Sequence, residues 1–247
     1  MSHTCSREAY FLDLCLLEYT KAWDLQTRLL EARVESLLDK DLILCLEHPP
    51  VFTLGRRGGL ENLKVPQSFL DSRGIEVIHV ERGGDITYHG PGQLILYPIV
   101  DLKSSGCKVV DFVQHLEEMM IRILSHWGLQ GERNSLNRGV WIGRAKIGSI
   151  GIAVRRGVSF HGLALNVNTE LEPFGWVNPC GLTGVMVTSI KKILGKEIPM
   201  DEVREQARIH VEQILGMRLI PINLDETLNI INDRVVASHK FLVTLAF

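Results

Sequence analysis

Three apolar runs, residues 140–142, 147–154 and 158–167, follow one another with only turns between them. Runs this short, rich in β-branched residues and bounded by glycine and basic residues, read as strands. Successive parallel strands need a crossover of a dozen or more residues. These have none, which argues against a doubly wound parallel sheet. Earlier in the chain, residues 9–14, 42–46, 51–54, 75–80 and 94–100 also read as strands, with Pro98 near the end of its run. Helix periodicity appears where Ala22, Leu25, Leu29 and Ala32 recur. It is strongest over 109–127, where Phe112, Leu116, Met119, Met120, Ile123, Leu124 and Trp127 form one stripe stopped by Gly128. Thr188 or Ser189 is set to cap a short helix ending at Gly195, and 201–215 reads as a helix ended by Gly216. Helices and strand runs that do not alternate regularly predict a mixed α+β layer fold.

The 247 residues are enough for one large core without a disulfide or metal staple. At 45% hydrophobic and 23% charged, the chain is ordinary globular material, neither disordered nor collagen-like. The longest apolar run, 94–100, is far below the roughly 18 residues of a membrane span. The first ten residues lack the basic-then-apolar order of a signal peptide. Lys and Arg total 27 against 29 Asp and Glu, so there is no basic excess of the kind nucleic-acid binders carry. Basic pairs stand at Arg56-Arg57, Arg155-Arg156 and Lys191-Lys192. The five cysteines are odd in number and widely spaced, with no C-x-x-C, which predicts reduced thiols of a cytosolic protein. Cys15 and Cys45 lie between leucines and read as core filler. Cys107 falls in a predicted loop, Cys5 in a polar terminus, and Cys180 between proline and glycine.

Four segments could carry chemistry. RGGDITYHGPGQ (82–93) puts four glycines and a proline in twelve residues, with Arg, Thr, Tyr and His among them. It is either a β-hairpin with a glycine-rich turn or a loop that lets backbone approach a ligand. It matches no nucleotide-phosphate motif. In GRAKIGSIG (143–151), Lys146 stands where an apolar strand begins. It either points to water or is held against apolar neighbours, where lost solvation lowers a lysine pKa. In FHGLALN (160–166), Gly162 interrupts the alternation, as a barrel corner, a bulge, or a place where a ligand or another backbone passes closely. In NPCG (178–181), Cys180 is a turn cysteine or a nucleophile.

In this order the four blocks resemble the lipoyl(octanoyl) transferase family, whose members move an octanoyl group from acyl carrier protein to a lysine of lipoyl domains. The matching motifs are LEHPPVFTLGRRG, RGGDITYHGPGQL, KIGSIG, HGLALN and PCG followed by a Thr-Ser pair, within about residues 9–194. The resemblance implies the fold of the catalytic domain of biotin and lipoate protein ligases. That is a single α+β domain, here 1–247, in which 219–247 carries no matching motif. Cys180 resembles the family's acyl-thioester nucleophile and Lys146 the residue that activates it. Arg82, Gly83, Gly84, Asp85, Ile86, Thr87, Tyr88 and His89 resemble one wall of the acyl pocket. Ser149, Ile150 and Gly151, with Gly162, Leu163 and Ala164, resemble the rest. His161 beside them is expected to help orient a carbonyl.

The resemblance further implies no cofactor and no metal. It implies octanoyl acyl carrier protein as donor. The implied acceptors are lipoyl domains of 2-oxoacid dehydrogenase complexes and the glycine cleavage H protein. Neither nucleic acid nor membrane is an implied partner, and the expected location is the cytoplasm. Two alternatives stand beside it. One is an ATP-dependent lipoate or biotin ligase of the same fold, which needs no cysteine. The other is a non-catalytic module that binds acyl groups or lipoyl domains.

Overall fold

The computed structural model describes residues 7–134, 137–178 and 185–231. The chain begins with strand β1 (Arg7–Leu16) and helix α1 (Tyr19–Val34), whose Ala22, Leu25, Leu29 and Ala32 are all buried, as the periodicity predicts. Cys15 does not fill the core. It is exposed, with φ 51°, where β1 shifts register on its neighbour and where its N–H is bonded by Asp13 Oδ1. The extra residue of a bulge turns this side chain out. Cys45, by contrast, is fully buried.

Strands β2 (Asp41–Glu47) and β3 (Val51–Leu54) follow, parted by the two prolines after His48. Next come α2 (Gln67–Asp71), β4 (Glu76–His79), β5 (Ile86–His89) and β6 (Gln93–Ile99). The glycine-rich stretch between β5 and β6 is not a hairpin turn. β5 pairs with β3 in a three-stranded sheet ordered β4-β3-β5, and β6 enters the main sheet. The chain crosses between sheets at Gly90–Gly92, where φ at Gly92 is 76°.

Two helices come next, α3 (Leu102–Ser105) and α4 (Val109–His126), the second bearing the buried apolar stripe and followed by Gly128 at φ 72°. Then come β7 (Glu132–Arg133), β8 (Val140–Ile142), β9 (Ala145–Arg155) and β10 (Val158–Asn166). The last elements are β11 (Met186–Val187), α5 (Ile190–Leu194), α6 (Met200–Leu215) and β12 (Met217–Pro221), with residues 224–231 helical. Ser189 caps α5 by accepting from the Lys192 N–H, and Gly195 and Gly216 end α5 and α6 in left-handed conformation, as expected.

The main sheet runs β12-β1-β2-β6-β10-β9-β8-β7, with β11 beside β9. It is mixed: β1 is parallel to both its neighbours and β6 antiparallel to both of its own. Both faces are covered, so its central strands are continuously apolar. On β6, Leu94 and Leu96 meet the α4–α6 layer, while Ile95, Tyr97 and Ile99 meet α1. The fold is therefore α+β, as the sequence predicts. No described helix is long and apolar enough to cross a membrane.

Pro98 lies next to the last residue of β6, near its end as the sequence predicts, and the sheet accommodates it at one place. The β6–β10 register sets Leu163 opposite Leu96, so two positions along it sets His161 opposite Pro98. Proline offers no N–H to that ladder. The Pro98 carbonyl instead accepts from Ser159 Oγ at 2.8 Å, and the His161 N–H turns to Gln26 Oε1 at 2.7 Å. His161 takes φ 54° there, a conformation that non-glycine residues rarely hold. The break at Gly162 is a close backbone approach, since a Cβ there would lie 2.0 Å from the Leu96 carbonyl oxygen.

Candidate active site

Pairing of β9 with β10 sets Ser149 opposite Ala164 and Gly151 opposite Gly162. Residues directly opposite in an antiparallel pair project from the same face. Four small residues together leave a trough over the sheet. The loop 82–85 covers it: Gly83 N–H donates to the Ile152 carbonyl at 2.9 Å, and a Cβ on Gly151 would reach Arg82 Cδ at 2.9 Å. Arg82 is itself held from below. Its Nη2 donates to the carbonyls of Thr53 at 2.6 Å and Asp85 at 2.8 Å. The Asp85 carboxylate accepts from Asn62 Nδ2 and the Ile86 N–H. These two charged residues thus hold the loop's shape as well as facing the space beneath it.

The space is a cavity of about 650 Å³. The loop contributes Arg82, Gly83, Gly84 and Asp85, and β5 contributes Ile86, Thr87 and His89. β9 adds Lys146, Ser149, Ile150 and Gly151, and β10 adds His161, Gly162, Leu163 and Ala164. Tyr88 is placed elsewhere. Its ring packs on Phe52 and Phe174, in the core beside the small sheet. Cys180 lies outside the described residues. The described chain on either side of it reaches the cavity through Phe174, Val185 and Val187.

Lys146 sits near one end. Its Nζ donates to Asn137 Oδ1 at 2.8 Å and lies 5.8 Å from the Trp141 ring centre. β11 runs alongside, with Val187 opposite Lys146 and the Thr188 N–H on the Lys146 carbonyl at 2.9 Å. A buried polar chain ties this end to the glycine-rich segment. His89 Nδ1 donates to Gln93 Oε1 at 2.7 Å, Gln93 Nε2 to Asn166 Oδ1 at 2.8 Å, and Asn166 Nδ2 to the Thr188 carbonyl at 3.1 Å. Three of the motif blocks are thereby locked to one another through side chains.

The other end gathers Tyr19, His48, His89, Tyr97 and His161. His48 Nδ1 donates to the Leu17 carbonyl at 2.6 Å, leaving Nε2 to accept from the Tyr97 hydroxyl at 2.8 Å. Burial pulls the His48 pKa down to about 4 and holds His89 well below the usual imidazole value. Burial lowers His161 too. All three rings are neutral at pH 7. His161 belongs to this end. It pairs with Ile152, six positions along β9 from Lys146, or about 20 Å at 3.3 Å per residue.

Sequence reasoning missed Tyr19, Tyr97, Asn137 and Gln26. Gln26 left a readable signal, being a polar residue on the apolar stripe, one turn after Ala22. Tyr97 was a hydroxyl within an apolar run. Nothing in the sequence marked Asn137.

Comparison with known proteins places the fold that frames this cavity. The lipoyl protein ligase A/B catalytic domain model matches residues 18–212, so the chain belongs to that family. Its relatives include octanoyltransferases. That of Desulfotalea psychrophila is 47% identical over 210 residues, covering 84% of this chain and 94% of its own. That of Syntrophobacter fumaroxidans is 45% identical, covering 92% and 99%. These place the chain in the octanoyltransferase group, which makes it an enzyme, an acyltransferase. Among solved structures, lipoate-protein ligase A bound with ATP superposes with TM-score 0.72 at 19% identity, over 92% of this chain and 93% of that one. A putative lipoate protein ligase from T. acidophilum with bound lipoic acid gives 0.68 at 18%, over 92% and 94%. At these identities the likeness is one of fold.

Proposed function

We propose that this acyltransferase takes an octanoyl group from acyl carrier protein onto Cys180 as a thioester and passes it to a lysine of a lipoyl domain. In the first step the Cys180 sulfur attacks the donor thioester carbonyl, and the carrier's thiol leaves with the proton that Cys180 gave up. In the second, the acceptor amine attacks the new thioester, forms the amide, and returns a proton to the Cys180 sulfur. A free thiol is only a few per cent thiolate at neutral pH, so the step needs a partner that favours the anion or accepts the proton. Lys146 is that partner in this reading.

The observation that carries the reading is the cavity: one trough of small residues with Lys146 near one end, walled by the segments on either side of Cys180. Burying an octanoyl tail gives roughly 5 kcal/mol at about 0.8 kcal/mol per methylene, a dissociation constant on the order of 0.1 mM. The tail alone therefore holds weakly, which favours covalent capture.

The test is mass spectrometry of the full chain after incubation with octanoyl acyl carrier protein. One octanoyl group on Cys180, discharged to amide on adding a lipoyl domain, is the expected result. An adduct released as free octanoate would make the chain a thioesterase. Acylation of the lipoyl domain only with free octanoate and ATP would make it a ligase and overturn the proposal.

A further inference from the structure

Among the described glutamates only Glu117 is buried, and it sits on α4 beside Leu116, Met119 and Met120 of the apolar stripe. A carboxylate taken out of water is unfavourable unless it is paired, so its partners show what keeps it there. Oε1 accepts from the Gly139 N–H at 3.1 Å. Oε2 faces Arg133 Nε at 3.4 Å and Arg138 Nη1 at 3.7 Å. These contacts fall on the last residue of β7 and on the two residues that lead into β8. Asn137 is next in the chain to them. Its Oδ1 takes the Lys146 amine, and its carbonyl accepts from Trp141 Nε1 at 3.3 Å.

Lys146 runs close against the same residues. Gly139 has φ 124°, and a Cβ there would lie 2.9 Å from Lys146 Cε and collide with the Gly148 carbonyl oxygen. The β8–β9 register shifts at this point. Trp141 stands opposite Lys146 and Val140 opposite Gly148, which leaves Ile147 as an extra residue on β9. A bulge re-aims the side chains beside it, and here the re-aimed lysine ends on Asn137.

We infer that Glu117 is a positioning residue for acyl transfer: it grips Arg133, Arg138 and Gly139, thereby fixes Asn137, and through Asn137 sets the place of the Lys146 amine. The inference rests on the reading of Lys146 as the group that activates Cys180, and it adds what holds that group in place. Glu117 acts at a distance. Lys146, Asn137 and Arg138 line the cavity, while Glu117 lies behind them on α4. A small displacement of the amine is enough to slow the reaction, because a proton relay works only near hydrogen-bond distance.

Two measurements on the full chain test this. The first is a double-mutant cycle read by single-turnover acylation from octanoyl acyl carrier protein. The rate should fall about tenfold in Glu117→Leu, which suits an apolar helix stripe. It should fall about threefold in Glu117→Gln, which keeps an acceptor for Gly139 and loses the charge facing the two arginines. In a Lys146→Ala background, Glu117→Leu should cost less than about twofold, since the lysine it acts through is gone. A merely structural role would slow both backgrounds alike. The second measurement follows the amine itself, by acetic anhydride labelling and mass spectrometry, with exposed Lys103 as the internal standard. Labelling of Lys146 should rise about fivefold in Glu117→Leu as its hydrogen bond is released. Glu118→Gln, which removes the surface partner of Arg133 and Arg122, should leave rate and labelling at parent values. Parent rate and labelling in Glu117→Leu, or equal loss with and without Lys146, overturn the inference. Should that variant not fold, parent values in Glu117→Gln overturn it. Faster labelling without slower acylation would sink Lys146 as the activator and leave the positioning standing. Slow acylation in Lys146→Ala with parent behaviour in both Glu117 variants would do the reverse.

Discussion

Lys146 Nζ donates to the side-chain oxygen of Asn137 at 2.8 Å, with the Trp141 ring beyond it. A lysine so placed can stabilise a thiolate or relay a proton, and one without that acceptor is free to swing. Lys146→Ala should lower single-turnover acylation by at least about a hundredfold, in the range of lost acid–base groups. Asn137→Ala should lower it less, by losing position and not function. Cys180→Ser should abolish the thioester adduct while leaving the thermal stability unchanged. A Cys180→Ala chain that turned over normally would remove the nucleophile assignment, and a Lys146→Ala chain acylated at the parent rate would remove the activator.

At the scale of elements, β10 is the strand the site depends on. Its left-handed His161 and its glycine are two answers to one cause, the proline on β6. Gly162→Ala would drive a Cβ to 2.0 Å from the Leu96 carbonyl oxygen and 2.8 Å from Pro98 Cδ, and neither a backbone carbonyl nor a proline ring is soft enough to yield. Overpacking of that kind costs about 1–3 kcal/mol or more. A lowered denaturation midpoint at unchanged m-value is the expected readout; an unshifted midpoint would mean that β6 moves freely. Most of the elements were legible, because strands with both faces covered and an amphipathic α4 write their periodicity into the chain. The illegible parts have a common reason. Whether β5 and β6 form a hairpin, whether Cys15 points in, and which way His161 faces are all decided by pairing partners distant in sequence. The same holds for Asn137, whose role exists only because Lys146 comes within reach.

Across the whole molecule, three buried neutral imidazoles set a pH response. His48 drops to about 4 from an ordinary 6.5, and burial lowers His89 and His161 also. Unfolded histidines take protons below about 6.5 while His48 stays neutral until about 4, so its contribution to stability is full above pH 6.5 and is lost as pH falls toward 4, and the lowered His89 and His161 act in the same direction. The slope is about 1.4 kcal/mol per pH unit for each ring that stays neutral. Denaturation at pH 7.5 and 5.5 should show the loss, and constant stability over that window would mean the rings are protonated in the folded chain.

The sheet's rim holds one further consequence. β12 lies parallel on β1, covering the outer side of a strand that is ten residues long. Residues 219–221, past the last matching motif, thus have a structural task. β12 itself spans five residues, with Arg218 exposed and Pro221 at its end, features that discourage another chain from adding on. A version of this protein stopped at Gly216 would bare the β1 edge and expose Ala9 and Phe11 beside it. Light scattering should find it gathering into multimers under conditions where the full-length chain scatters little.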